Sequence, residues 1–314
     1  MTRTKALLAL AGLTLFSGTA SAETTGALSS GQDFSLSGGI GLMNIDAGEF
    51  VYDGDYKISQ LDWQSRGVVL FTLGAEAELS PDYLLKAKID TGIDGDGDLT
   101  DYDWLMNGPN GMNDWTDRSR HPDTGLDHYY AGALEIYRRM WADDSSELQL
   151  GGGFKYTDVK WSASGGSYVY SDNAFRDSSG SFADGQRIIS YRMQLPVAYA
   201  SVAASRTFGS WTLDGDVKAG LSFGIDDTDD HWGRQRRFFD RMDPAPMIGV
   251  DLRASYAMTE DTSFYLGGSF EQIFKSEGSS KEINTATGDV ESLSDGAGAN
   301  YGAVNLTFGL KRQF

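Results

Sequence analysis

The sequence predicts an all-β fold, a ten-stranded antiparallel transmembrane β-barrel with long extracellular loops. Three observations support this prediction. Apolar and polar residues alternate along many segments, the links between those segments are alternately short and long, and aromatic residues cluster near the segment ends. A period of two is typical of strands, and short turns on one side with longer loops on the other are typical of outer-membrane barrels.

The alternation is clear in residues 211–223, where Trp211, Leu213 and Val217 are separated by polar residues. Ten candidate strands are predicted in this way, at residues 32–44, 59–79, 83–93, 127–139, 147–158, 187–206, 210–225, 246–258, 262–275 and 300–314. Short turns are expected near 80–82, 140–146, 207–209 and 259–261, and long links near 45–58, 94–126, 159–186, 226–245 and 276–299. A soluble β-sandwich would alternate in the same way, but the long strands and the terminal Phe314 favour the barrel.

Residues 1–22 have the pattern of a secretory signal peptide. Arg3 and Lys5 precede an apolar run at 6–16, and a stretch of small residues ends at Ala22. The apolar run is shorter than the roughly 20 residues that a membrane-spanning helix needs. The sequence therefore predicts a signal peptide at 1–22 and a barrel at 23–314.

The composition excludes several classes of function. Asp and Glu number 45 against 26 Lys and Arg, a net charge of −19, which disfavours binding to nucleic acid. The chain has no cysteine, which excludes thiol catalysis, disulfides and cysteine-ligated metals. The spacing of His121, Asp123 and His128 matches no strong zinc pattern. No metal site and no prosthetic group are therefore predicted.

Two short motifs in the long links could carry chemistry. Asp101 and Asp103 stand at positions i and i+2, which places both carboxylates on one face of an extended chain. Because each carboxylate disfavours ionisation of the other, such a couple can hold a proton. Asp229 and His231 have the same spacing, and a carboxylate beside an imidazole orients the ring as a base.

The second motif requires a feature that the alternation does not show. Asp229 and His231 have the same parity as the presumed lipid-facing residues of 211–223. One extra residue in a strand moves every following side chain to the opposite face. A bulge or break near residues 224–226 is therefore expected, and it would turn this motif toward the barrel interior.

Several segments, in their order and spacing, resemble the omptin family of bacterial outer-membrane proteases. The matching segments are 59–63 (SQLDW), 101–104 (DYDW), 115–124 (WTDRSRHPDT), 165–171 (GGSYVYS), 175–177 (FRD), 180–182 (GSF) and 227–232 (DTDDHW). The resemblance covers nearly all of residues 23–314. It implies a ten-stranded barrel in the outer membrane of a Gram-negative bacterium, with an active site that faces outside.

The resemblance also implies an endopeptidase that cleaves next to basic residues, in particular between dibasic pairs, by attack of water. By position, Asp101 and Asp103 match the family's Asp-Asp couple, and Asp229 and His231 match the Asp-His dyad that faces it. The dyad histidine, oriented by Asp229, is expected to activate the water together with Asp101. Asp103 would then support Asp101 and the developing oxyanion while sharing a proton.

The partners that the resemblance implies are basic peptides or proteins. Glu49 and Asp227 match the carboxylates of the family's substrate pocket, and two desolvated carboxylates suit a guanidinium. The bond between Arg236 and Arg237, in the same long link as the dyad, would then be a site of self-cleavage. We expect the protein to be a monomer.

Outer-membrane lipid is a second implied partner, because omptins need lipopolysaccharide as an activator. At the matching outer positions this chain has Phe154, Tyr156, Asp158 and Gln194, where the family pattern offers Tyr, Glu, Arg and Arg. Activation by lipopolysaccharide is therefore expected to be weak or to use other residues.

Two functions other than proteolysis stay open at this point. The first is a catalytically inactive omptin-like barrel that serves as a surface adhesin, and the second is a plain porin. All four matched catalytic positions are present, which favours the enzyme. Ten strands leave little room for a channel compared with the 16–18 strands typical of porins.

Overall fold

Most of the described chain forms antiparallel β-strands. The computed structural model describes residues 34–105 and 112–314, and the predicted signal peptide at 1–22 lies outside them. The strands in these two ranges are β1 (Phe34–Asp53), β2 (Tyr56–Ser80), β3 (Tyr83–Ile93), β4 (Asp96–Asp103), β5 (Asp117–Ala142), β6 (Ser146–Ser164), β7 (Ser167–Tyr170), β8 (Ser178–Ser181), β9 (Arg187–Phe208), β10 (Trp211–Ser222), β11 (Ile225–His231), β12 (Arg236–Met242), β13 (Ala245–Ala257), β14 (Thr262–Asn284) and β15 (Val290–Gln313). A 3₁₀ helix spans Met112–Asp114, and none of the described helical residues forms a helix long and apolar enough to cross a membrane.

The strands close into a ring in which all neighbours are antiparallel. β3 continues into β4, β10 into β11 and β12 into β13 along the wall, so the described ring has ten strands, as predicted. β15 pairs with β14 and with β1, from Ser35 opposite Gln313 to Val51 opposite Ala297. Closure leaves none of the ten described ring strands with a free edge, which a bilayer demands because unsatisfied N–H and C=O groups are costly in lipid.

The half of the barrel in which β1 begins and β15 ends has an apolar outer face. Leu73, Ile89, Val217, Leu252 and Leu306 are each more than half exposed on it. Their neighbours along the same strands point inward and include buried charged and polar groups. Apolar residues outside and polar residues inside are the pattern of a lipid-facing barrel wall.

The segments predicted as long links are largely strand. Residues 45–58, for example, are the ends of β1 and β2 joined by the two-residue turn at 54–55. The wall of the barrel therefore continues beyond the apolar band, where water replaces lipid and the outward positions become polar. Period-two alternation of apolar residues is lost there, although the backbone hydrogen bonds continue. The Arg236–Arg237 bond joins the first two residues of β12, which pairs with β11 and β14, so self-cleavage would require this end of the strand to open.

A break between β10 and β11 exchanges the faces of this wall. Phe223 is exposed on the outside, whereas Ile225 is buried at 1% exposure although both positions are odd-numbered. Gly224 between them has a φ of +61°, in the left-handed region that favours glycine. Four steps along the wall, from 222 to 226, match three steps along β9, from 197 to 194. The bulge expected near 224–226 is therefore found here.

A similar break separates β3 from β4. Asp94 and Gly95 both have positive φ, at 61° and 108°, and they divide the exposed Ile93 from the buried Leu99. Gly67, with a φ of 65°, makes the matching break in the neighbouring β2. Both sequence motifs lie beyond these breaks, and this is why their side chains face the lumen.

An aromatic layer fills the lumen next to the motifs. Trp63, Trp161 and Tyr191 are fully buried and stack on one another with ring centroids 5.5 to 6.2 Å apart. Trp161 Nε1 donates to Ser65 Oγ at 2.9 Å, which satisfies the polar atom of the indole. Close packing of three large rings gives the inner wall little freedom to move.

Within the apolar band, the lumen is held together by ion pairs around Lys218. Its Nζ lies 2.6 Å from Glu135, 2.9 Å from Asp251 and 3.8 Å from Asp216. Replacing Lys218 by Met would remove the cation that these three carboxylates share. We expect Lys218→Met to reduce the free energy of unfolding by about 3–5 kcal/mol, measured by urea titration in lipid vesicles.

The control is Arg241→Gln, which removes a cation from the exposed pair with Asp226 and should cost at most about 1 kcal/mol. A loss of less than 1 kcal/mol for Lys218→Met would contradict a structural role for the lumen pairs.

Candidate active site

The carboxylate couple lies on β4 and points into the lumen. Asp101 and Asp103 are 6% and 5% exposed. Ser59 on the adjacent strand β2 donates its hydroxyl to Asp101 Oδ1 at 3.4 Å. Because β4 is hydrogen-bonded on both sides, by β2 and β5, the backbone fixes the direction of both carboxyl groups.

The second pair lies on β11, between β9 and β12. His231 Nε2 is 2.5 Å from Asp229 Oδ2, a separation at which the two atoms are joined by one proton. The edge of the imidazole packs against Phe238 on β12, at 5.5 Å between centroids and an angle of 73°. Asp229 is 1% exposed, so this contact is shielded from water.

The two pairs face each other across the lumen. Three strands, β5, β6 and β9, separate β4 from β11 within the sheet. The charges of Asp101 and Asp103 nevertheless act on His231, which places all three groups in one electrostatic unit. Arg234, in the turn between β11 and β12, reaches over to the couple with Nη2 at 3.7 Å from Asp103 Oδ2.

Burial moves the acid and the base in opposite directions. Burial and then the neighbouring Asp103 raise the pKa of Asp101 to about 8. Burial also raises the pKa of Asp103, and Arg234 opposes this effect. Burial lowers the pKa of His231 to about 4, although Asp101 acts in the other direction. Near neutral pH the site therefore contains an uncharged imidazole that faces a carboxyl couple with one proton. The imidazole can act as a base, and the couple can act as an acid.

The structure also brings the two predicted pocket residues next to the dyad. Glu49 on β1 and Asp227 on β11 are 2% and 3% exposed. Trp63 Nε1 donates to Glu49 Oε2 at 3.3 Å, and the Tyr191 hydroxyl donates to Asp227 Oδ2 at 2.9 Å. Glu49 is also in hydrogen-bonding contact with the carboxyl group of Asp229. All six residues singled out from the sequence therefore belong to one lumen cluster.

His121 and His128 lie elsewhere and have structural partners. The imidazole of His121 is fully buried, with Nδ1 donating to the Gly165 carbonyl at 2.6 Å and Nε2 accepting from Ser119 at 2.8 Å. His128 contacts Asp158 at 2.9 Å on the outer side of the wall. In residues 34–105 and 112–314, no group of three or more His, Asp or Glu side chains is arranged to hold a metal ion.

Three residues beside the site do not follow from the sequence motifs. Arg234 reads as part of a charged run, and only the hairpin turn directs it to the couple. Tyr170 on β7 lies close to Asp101, and burial raises the pKa of its hydroxyl to about 12, so that it stays protonated. Asp240 faces Asp227 from β12. In the sequence, Asp240 alternates with the apolar residues Phe238 and Met242, and this pattern could have predicted that its side chain points inward.

Comparison with known proteins decides the family. A model of the Omptin family matches residues 30–314 of the chain. The chain belongs to the omptin family. Like its relatives in this family, it is an outer-membrane β-barrel protein of a Gram-negative bacterium.

The similarity of this omptin to its relatives extends over almost the whole chain. The plasminogen activator of Yersinia pestis is 26% identical, over 96% of this chain and 97% of the relative. The outer membrane protease OmpP of Escherichia coli K12 is 28% identical, over 88% of each chain. The crystal structure of the outer membrane protease OmpT from Escherichia coli has a TM-score of 0.83 at 26% identity, covering 90% of this chain and 97% of the other.

The contact of Arg234 with the couple generates a prediction about this omptin. The guanidinium disfavours a second positive charge on the neighbouring imidazole, so it helps to keep the pKa of His231 low. We expect Arg234→Gln to raise the pKa of His231 from about 4, measured by NMR titration of ¹³C-labelled histidine rings in detergent micelles.

Arg241→Gln in the same hairpin is the matched control, since Arg241 pairs with Asp226 on the outer face and should leave the His231 titration unchanged. The signal is assigned by its loss in His231→Gln. An identical titration of His231 in wild type and Arg234→Gln would show that the guanidinium does not act on the dyad.

Proposed function

We propose that this omptin is an outer-membrane endopeptidase that cleaves peptides and proteins next to basic residues, above all between dibasic pairs, by attack of water. The observation that carries the proposal is His231, 12% exposed, uncharged near neutral pH and held 2.5 Å from Asp229, opposite a couple that keeps a proton. An uncharged imidazole opposite a protonated carboxyl group provides a proton acceptor and a proton donor at neutral pH.

The reaction begins with a water molecule between the two pairs. Nε2 of His231 is engaged by Asp229, so Nδ1 is the nitrogen left to take the proton as the water oxygen attacks the carbonyl carbon. Asp229 fixes the ring and balances the imidazolium that forms. The protonated couple of Asp101 and Asp103 donates a hydrogen bond to the oxyanion of the tetrahedral intermediate. When the C–N bond breaks, His231 returns the proton to the leaving amine, and hydrolysis is complete.

This scheme assigns the couple's proton to Asp101. In the sequence-based expectation Asp101 helps His231 to activate the water. A carboxyl group whose pKa is raised to about 8 is protonated at neutral pH, however, and is then a donor. The basic preference follows from Glu49 and Asp227, two buried carboxyl groups beside the dyad that a bound cation would hold in their ionised form.

The activity test uses a quenched fluorescent peptide with one internal Arg-Arg bond and the protein folded in detergent. We expect cleavage at that bond by the wild type. His231→Gln, Asp229→Asn and Asp101→Asn should each lower kcat/KM by about 100-fold or more, because a general base or oxyanion donor contributes that much. Asp226→Asn, which removes a carboxylate from the outer face of the same strand, should retain wild-type activity.

The same assay is run with and without lipopolysaccharide, which stays a proposed activator. On the outer wall Asp158 is engaged by Arg192 and His128, and Gln194 donates to the Tyr156 hydroxyl at 2.6 Å. A folded wild type that is silent in both arms, across a library of basic peptides, would overturn the enzyme and favour the surface-binding barrel.

The pH dependence of kcat/KM provides an independent prediction. Activity needs uncharged His231, whose pKa is lowered to about 4, so activity should fall only as the pH drops through about 4. It also needs protonated Asp101, whose pKa is raised to about 8, so activity should fall as the pH rises through about 8. Asp103→Asn should move the alkaline limb to lower pH, because Asp103 raises the pKa of Asp101. An acid limb near the ordinary histidine pKa of about 6.5 would contradict the assignment of the base.

A further inference from the structure

The pocket beside the dyad has a third carboxylate. Asp240 on β12 stands directly opposite Asp227 on β11 in the strand register. Both point into the lumen, at 6% and 3% exposure, and the charge of Asp240 also acts on Glu49 across the cluster. Three strand positions on two sides of the lumen therefore direct carboxyl groups to one place.

The hydrogen bonds around these carboxyl groups are incomplete. Asp227 accepts from the Tyr191 hydroxyl through Oδ2, and Asp240 is in hydrogen-bonding contact with Ser280 and with the backbone at Lys281. The Oδ1 atoms of both aspartates are buried and receive no hydrogen bond from an N–H or hydroxyl group of the described chain. Two buried acceptors on facing strand positions call for a donor, since an unsatisfied buried polar atom is costly.

Among the described residues, no Lys, Arg or His side chain is one of the strongest electrostatic influences on Glu49 and Asp227. The charged groups that act most strongly on Glu49 and Asp227 are other carboxyl groups, namely Asp229, Asp240 and, for Asp227, Glu49 itself. Without a ligand, the two aspartates can be in hydrogen-bonding contact only when they share a proton. A positively charged group with several N–H donors would replace that proton and satisfy the open acceptors.

The aromatic layer gives the pocket its rigidity. Trp63 and Tyr191 are stacked 5.5 Å apart at an angle of 15°, and each donates to one pocket carboxylate. The carboxyl groups of Glu49 and Asp227 are thereby held in place before any ligand arrives. A preorganised site loses less free energy on binding than one that must first be ordered.

We propose that Asp240 is a specificity-determining residue that binds the basic side chain of the substrate together with Glu49 and Asp227. The inference rests on the proposed endopeptidase function and adds a third wall to its pocket. A guanidinium, planar and with five N–H donors, can bind several carboxylates at once and is the group that this arrangement fits.

The test compares two peptides that differ at one residue beside the scissile bond, arginine in one and citrulline, its uncharged isostere, in the other. For Asp240→Asn we expect kcat/KM for the arginine peptide to fall about tenfold or more, because one charge-assisted contact is lost. The value for the citrulline peptide should stay within about twofold of the wild type, so the preference for arginine collapses.

Two controls bracket this result. Glu49→Gln should lower the arginine preference in the same way, and Asp226→Asn, on the outer face of β11, should leave it unchanged. Folding is checked by the mobility of the unheated barrel on a gel. Asp240→Ser is the second variant, since its hydroxyl can donate to Asp227. Misfolding of both variants would assign Asp240 to the stability of β12 and overturn the proposal.

The remaining outcomes separate this inference from the proposed function. An unchanged arginine preference in Asp240→Asn, or an equal fall for both peptides, overturns the role of Asp240 while the endopeptidase stands. A wild type that cleaves neither peptide overturns the proposed function itself.

Discussion

The period of two in a β-strand is the constraint on which the site depends. In a closed barrel every strand is hydrogen-bonded on both sides, so a side chain cannot turn inward unless the backbone changes its register. Gly224 provides that change, and it transfers Asp227, Asp229 and His231 from the parity of the lipid-facing residues to the lumen. Asp94 and Gly95 do the same for the carboxylate couple. The chemistry thus depends on backbone conformations several residues away from it.

Desolvation by the same wall then creates both partners of the acid–base pair. Loss of water disfavours every charge, which raises the pKa of Asp101 and lowers that of His231, and the neighbouring Asp103 adds to the first of these shifts. Arg234 opposes the shift of the couple because it stabilises the ionised carboxylates, and it adds to the shift of His231 because it disfavours the imidazolium. A site lined by desolvated carboxyl groups needs a rigid scaffold that holds these groups in place. The stacked ring of Trp63, which donates to Glu49, contributes to that rigidity.

The sequence was sufficient to predict that there are ten strands and to single out the six residues that lie in one cluster. It was insufficient to predict how far the strands extend beyond the apolar band. Alternation reports a contrast between two environments, and in residues 45–58 the outer environment is water, so the contrast disappears while the strand continues. The contacts of Arg234 and Asp240 could not be predicted from the sequence either. They depend on a turn and on a cross-strand register, which bring together residues whose own motifs carry no sign of one another.

The contact between Glu49 and Asp229 connects recognition to catalysis. Glu49 belongs to the pocket and Asp229 to the dyad. Asp229 raises the pKa of Glu49, whereas the hydrogen bond with Glu49 lowers the pKa of Asp229, so the contact favours a protonated Glu49 that donates to an ionised Asp229. A basic side chain in the pocket would stabilise ionised Glu49 and Asp229 together, and an ionised Asp229 in turn stabilises the imidazolium that forms as water attacks. Under the proposed function, a substrate with the right side chain therefore improves the base that cleaves it. A neutral side chain would leave the carboxyl cluster protonated, and Asp229 would be a poorer partner for His231 in the transition state.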